Sequence, residues 1–298
     1  MKKALGILLI LTSVNFAQSA GKSGMAFLKN GFGARNIAMG DLGVTSAKDV
    51  TALNYNPALL TNYKSAQVSV THNEWINDVK SEMIGASFKM FNLPFALGLN
   101  TTSISDIEIR TKPGEAESTF NAHYFFGSLS TGFHIVDDLS FGVTFKYLYE
   151  GLFTDAATGY GFDFGLSYNT AIEGLIFGGT IRNLGSMNEL RAEATKLPVD
   201  LRFGGEYTFN VEDINSDITV LSGFQKYLET DDTHIHFGAE ILYDKLIAVR
   251  AGFMTGYESK GLTAGLGVIW DNVNFDYAFT PFDYGLGSTH TISVAYTF

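Results

Sequence analysis

From about Ser65 to Phe298, apolar and polar residues alternate with a period of two. The last stretch is the clearest. His290, Ile292, Val294, Tyr296 and Phe298 fall on one face, and Thr289, Thr291, Ser293, Ala295 and Thr297 on the other. Successive side chains of a strand point to opposite sides, so this is a strand with one apolar face and one small, polar face. The split recurs at Phe141, Val143, Phe145 and Tyr147 against Ser140, Gly142, Thr144 and Lys146, and again over 159–169, 197–209 and 273–281. The pattern predicts about fourteen strands, at 65–72, 82–90, 93–104, 119–135, 139–150, 159–169, 175–184, 197–209, 217–226, 233–243, 246–256, 261–270, 273–281 and 288–298. Tight links near 91–92, 136–138, 244–245 and 271–272, with slightly longer ones at 170–174 and 210–216, alternate with generally longer loops. The loops fall at 73–81, 105–118, 151–158, 185–196, 227–232, 257–260 and 282–287. Short turns alternating with longer loops are the signature of an antiparallel transmembrane barrel.

A soluble β-sandwich also alternates. Strand length separates the two: soluble strands run about 5–6 residues, and these run about 9–11. Charged residues sit almost only on the polar face, while Phe and Tyr gather near the ends of the apolar face, as in an interfacial aromatic girdle. Composition sharpens the contrast. Aromatics are 14% and charged residues 17%, against about 25% charged in soluble domains, and mean hydropathy is +0.10. Yet no segment is apolar over the ~18 residues that a spanning helix needs. A barrel resolves this, because its apolar residues are spread over alternate strand positions. The fold class expected is all-β: a transmembrane antiparallel barrel over 65–298.

The start of the chain reads as a leader. Lys2 and Lys3 precede an apolar stretch at 4–14, and small residues follow at Ala17, Ser19 and Ala20. This order is that of a secretory signal over 1–20. With such a leader, the expected location is the bacterial outer membrane, and the first partner is its lipid. A pI of about 4.9 argues against nucleic acid. The absence of Cys excludes disulfides and thiolate metal sites.

Residues 21–64 lack the alternation. They are rich in Gly, with helix-like patches near 34–39 and 50–53 and a turn at Asn56-Pro57-Ala58. The stretch is too irregular for a strand and too apolar for a free linker. It is expected to fold into the lumen as a plug. The run GMAFLKNGFGARNIAMGDLGVTSAKDVTALNYNPALL closely resembles the N-terminal signature of the PorV/PorQ family. The matching residues are Phe27, Leu28, Gly31, Gly33, Ala34, Arg35, Ala38, Met39, Gly40, Asn56, Pro57 and Ala58. Where that family usually carries an Asp-Asp pair and often a Trp before the NPA turn, this chain has Lys48-Asp49 and Tyr55. The family is similar in turn to FadL-type transporters. The resemblance implies a role beside the type IX secretion system, binding secreted cargo or handing it to surface-attachment machinery. The FadL likeness implies the alternative, passage of a hydrophobic ligand through a plugged lumen. The modest, mainly polar loops at 105–118 and 185–196 incline the sequence towards the interaction role.

Strand parity turns Lys146, Glu150, Asp163, Arg182, Arg202, Glu206, His236, Glu240, Arg250 and Asp276 inward, as a network of lumen ion pairs or a selectivity path. Arg35 is the plug-anchoring candidate, because a guanidinium pairs well with inward carboxylates. His234, His236 and Glu240 share one face, a spacing open to a metal or to a plain polar wall. Asp231-Asp232, near Glu229, reads as an acidic hairpin tip, open to calcium or to solvent alone. There is no G-x-S-x-G, H-E-x-x-H or P-loop. Neither an enzyme nor a cofactor is expected.

Overall fold

The computed structural model describes residues 24–230 and 232–298. The leader read into 1–20, and Asp231 of the acidic tip, lie outside the described residues. Fourteen antiparallel strands close into one barrel, the architecture of outer-membrane β-barrels that the alternation predicts. In chain order they are β1 (Gln67–Glu74), β2 (Lys80–Met90), β3 (Leu93–Ile109), β4 (Ser118–Val136), β5 (Leu139–Leu152), β6 (Asp155–Asn169) and β7 (Leu175–Met187). After a two-residue ladder in a loop, β8 (Glu189–Leu190) with β9 (Glu193–Ala194), the wall resumes. It continues through β10 (Asp200–Val211), β11 (Ser216–Tyr227), β12 (Thr233–Tyr243), β13 (Ile247–Met254), β14 (Leu262–Trp270), β15 (Val273–Phe282) and β16 (Gly287–Thr297). Strand β1 pairs with β16 from Gln67↔Thr297 to Glu74↔His290. Closure leaves no sheet edge to be satisfied in lipid.

The two faces separate sharply. Outward Val249 and Phe203 are 53% and 50% exposed, whereas inward Asp163, Asp200 and Thr144 are 0%. Among the described residues, no second protein layer covers the apolar face. In a sandwich it would be the buried one; here it is a belt for hydrocarbon.

Three predicted loops are shorter than their sequence suggests. Strand β3 runs on to Ile109 and β4 begins at Ser118, past a register shift between Ile104 and Ile107. Asp106 sits there at φ 57°. The bulge inverts the parity, so the continuing strand loses its period-two signal. The predicted loop 151–158 is almost all strand, turning only between Leu152 and Asp155; its small residues Gly151, Ala156 and Ala157 hid the alternation. Strand β7 likewise runs to Met187.

Candidate functional site

The lumen holds the N-terminal segment. At the long-loop rim the Gly24 N–H donates to the Lys196 carbonyl, and at the opposite rim the Phe298 N–H donates to that of Ala66. Between them come a 3-10 turn at Ala26–Lys29, α1 (Ala34–Ala38), α2 (Ala52–Tyr55) and a second 3-10 turn at Pro57–Asn62. These elements are too short to satisfy their own backbone. The wall does it for them. Arg182 donates to the Asn54 carbonyl, Arg202 to those of Asp41 and Leu42, Thr144 to that of Leu53 and Thr263 to that of Ala38. Ser293 accepts from the Ala34 N–H at 2.9 Å. Irregular backbone at membrane depth is tolerated only where such partners exist.

Buried charges are grouped in clusters. Arg35 forks onto Glu240, Nε to Oε2 at 2.9 Å and Nη2 to Oε1 at 2.7 Å, and its Nη1 reaches the Ser46 carbonyl. Arg250 joins Glu240 to Asp276 at 2.5 and 2.6 Å. Nearby, Lys48 of the segment reaches Glu206 at 3.4 Å. Further round the wall, Arg182 and Arg202 share Asp200, each at 2.9 Å, and Lys146 pairs with Asp163 at 2.7 Å. The Arg35 guanidinium is a permanent cation, fixed to the wall.

Glycines complete the fit. From β2 to β14, each barrel strand turns at least one glycine inward against the segment. An ideal Cβ at Gly142 would lie 2.3 Å from the Ala58 nitrogen, at Gly238 2.3 Å from the Met39 carbonyl oxygen, and at Gly178 2.4 Å from that of Val44. Only a missing side chain allows wall and segment backbones so close. The contact is reciprocal at Gly40 of the segment (φ +80°), whose added Cβ would meet the Phe237 carbonyl oxygen at 2.6 Å.

At the long-loop rim, Met25, Phe27, Leu28, Phe32, Phe126, Leu148, Met187 and Leu197 form the outer end of a buried apolar cluster that continues through Val50 and Leu53 to Leu59 and Leu60. A cavity of about 580 Å³ lies at this rim, lined by Gly24, Leu190, Glu193, Ala194, Thr195, Lys196 and Glu229. Beyond it, Lys29 lies over the Tyr227 ring, Tyr227 meets His234 edge-on, and His234 stacks on Tyr257 at 3.7 Å. Lys260 lies over both Tyr257 and Trp75.

The structure places each polar residue that parity turned inward, Glu150 among them, on the lumen side and buried. It does not bring His234, His236 and Glu240 together. Glu240 is taken by two arginines, His236 Nδ1 meets the Gly40 carbonyl, and His234 stacks on Tyr257. Among the described residues there is no group of three or more His, Cys, Asp or Glu fit to hold a metal. The motif residues act within the segment and against the wall. Asn56 donates to the carbonyls of Val44 and Leu166 and accepts from the Ala58 N–H. Gly31 leaves room for Asp41 and the Tyr55 hydroxyl, and that hydroxyl donates to Asp41 at 2.5 Å. Sequence reasoning missed Asp200, the hub of the arginine cluster, although its parity with Arg202 marks it. It also missed Tyr257 and Lys260, which come from a loop without periodicity.

No family model and no curated protein matches the chain. Solved structures do. The toluene transporter TbuX of Ralstonia pickettii superposes with a TM-score of 0.62 at 14% identity, covering 90% of this chain and 98% of that one. The toluene transporter TodX of Pseudomonas putida gives 0.61 at 14%, and the monoaromatic hydrocarbon channel CymD 0.61 at 13%, both with the same coverage. At these identities the likeness is one of fold.

Proposed function

We propose that this chain is an outer-membrane transport barrel that admits small hydrophobic molecules from the cell surface, with residues 24–66 as its plug. One observation carries the reading: a continuous apolar cluster lines the lumen from Phe27, Phe126 and Leu197, at the rim that also holds the 580 Å³ cavity, down to Leu59 and Leu60. A hydrophobic molecule entering there leaves water for an apolar surface. The fold shared with toluene transporters supports the same reading. The test is uptake of radiolabelled toluene by cells expressing the full chain. Uptake is expected to exceed that of cells without it, and to fall about tenfold (about 1.4 kcal/mol) in Ala194→Trp, which fills the cavity from an exposed position. Equal uptake with and without the protein contradicts the proposal.

The PorV/PorQ-like motif favours a second reading, cargo binding beside a type IX secretion system. Its residues make contacts that hold the segment in the lumen, such as Arg35 to Glu240 and Asn56 to Leu166. They speak for a shared plug architecture more than for a shared partner. A pull-down of the intact barrel decides this: a co-purifying folded secreted protein supports cargo binding, and a bound hydrophobic small molecule supports transport.

A further inference from the structure

The apolar belt has a notch. One register row crosses five strands as Phe141↔Leu166, Leu166↔Gly179, Gly179↔Phe203 and Phe203↔Phe224. Four of its members project bulky side chains outward; the fifth, in the middle, is Gly179. A Cβ there would find its nearest atoms at 3.7 Å, the Arg202 carbonyl oxygen and the Phe203 ring. The space is therefore open and points away from the lumen. It forms a groove of about 360 Å³ whose floor is Gly179 and whose sides are rings and aliphatic chains, with Ile181 alongside. Gly205, another outward glycine, shows the contrast: its space is already filled by the Phe177 ring, 2.9 Å from an ideal Cβ.

Two independent features say what fills the notch. First, it opens onto the belt that hydrocarbon covers, so an acyl chain can occupy it without crossing water. Second, the wall strands that flank it end in acidic turns at the short-turn rim. Asp137 and Asp138 join β4 to β5, Glu173 lies between β6 and β7, and all three are exposed. Neither turn contains Lys or Arg. Leu166 lies three residues from the end of β6 at Asn169, which at about 3.3 Å per residue puts the notch about 10 Å from the rim. A phospholipid spans that distance, with its headgroup at the turns and a chain in the groove. We propose that Gly179 marks a specific phospholipid seat that prefers phosphatidylethanolamine, whose ammonium meets the carboxylates, over phosphatidylglycerol, whose headgroup carries only negative charge.

The test uses the full-length barrel in detergent, relipidated with equal amounts of phosphatidylethanolamine and phosphatidylglycerol of identical chains. Native mass spectrometry reads the lipid retained. The unsubstituted protein is expected to keep phosphatidylethanolamine over phosphatidylglycerol by about tenfold (about 1.4 kcal/mol). Gly179→Phe, which fills open space, should lose the bound lipid, whereas Val249→Phe elsewhere on the belt keeps it. Asp137→Asn, Asp138→Asn and Glu173→Gln together should keep the lipid and lose the headgroup preference. Equal retention by the Gly179 and Val249 variants overturns the proposal, as does equal binding of the two lipids by the unsubstituted protein. So does a dimer that disappears in Gly179→Phe, because the groove would then hold a second copy. Toluene uptake is read separately, so either proposal can fail alone.

Discussion

Arg35 holds the segment to the wall by a fork that a shorter or single-point cation cannot reproduce. Arg35→Met strips Glu240 of its bidentate partner in a buried setting. It is expected to cost about 3–5 kcal/mol, read as the urea midpoint of the detergent-solubilised barrel. Arg35→Lys should fall between the two. Asn56→Ala removes both the cap on Ala58 and the bridge to Val44 and Leu166, a loss of about 2–3 kcal/mol. Lys260 predicts a pH effect. Burial lowers its pKa, with Asp41 opposing, so the folded barrel binds this proton less well than the unfolded chain. Stability should then rise with pH up to lysine's ordinary value, and Lys260→Gln should flatten that slope. An unchanged slope would mean that the ammonium stays solvated. Strand parity alone places the buried charges of the wall wherever strands are regular, Asp200 in phase with Arg202 included, whereas Arg35 is marked by its motif. Lys260 was beyond both, because the partners of a loop residue are set by folding, not by spacing.

At the scale of elements, the account rests on glycine rows that let a coiled segment lie against a wall of strands. Gly142→Leu places its Cβ on the Pro57–Ala58 peptide and should unseat the second 3-10 turn, at a cost of about 3 kcal/mol. The readout is protease cleavage within 24–66, which the unsubstituted barrel is expected to resist. Gly127→Leu is the control: it projects outward, with its nearest neighbour at 3.5 Å, and should stay within about 0.5 kcal/mol. Equal protease resistance in both variants would show that the segment is not seated by close backbone contact. The strands themselves were legible from alternation. The inward glycines stand in the polar phase of that alternation, where a glycine reads as merely permissive; their meaning appears only once the segment is seated opposite. Bulges concealed strand ends for the same local reason, since one extra residue at Asp106 exchanges the two faces.

At the scale of the molecule, one surface decides everything: the belt that carries Val249, Phe203 and Phe275 outward. Its recognition required only the period of two, the length of the runs and the scarcity of charge. The role of the lumen was less legible, because a motif that seats a segment in the lumen serves a transporter and a secretion partner equally well. The belt is tested most directly by a single tryptophan on its outward face: Val249→Trp in a background of Trp75→Phe and Trp270→Phe, reconstituted into lipid vesicles. If hydrocarbon covers this face, lipids brominated in mid-chain quench its fluorescence strongly and aqueous acrylamide scarcely does. Quenching by acrylamide with no effect of the brominated chains would contradict the account.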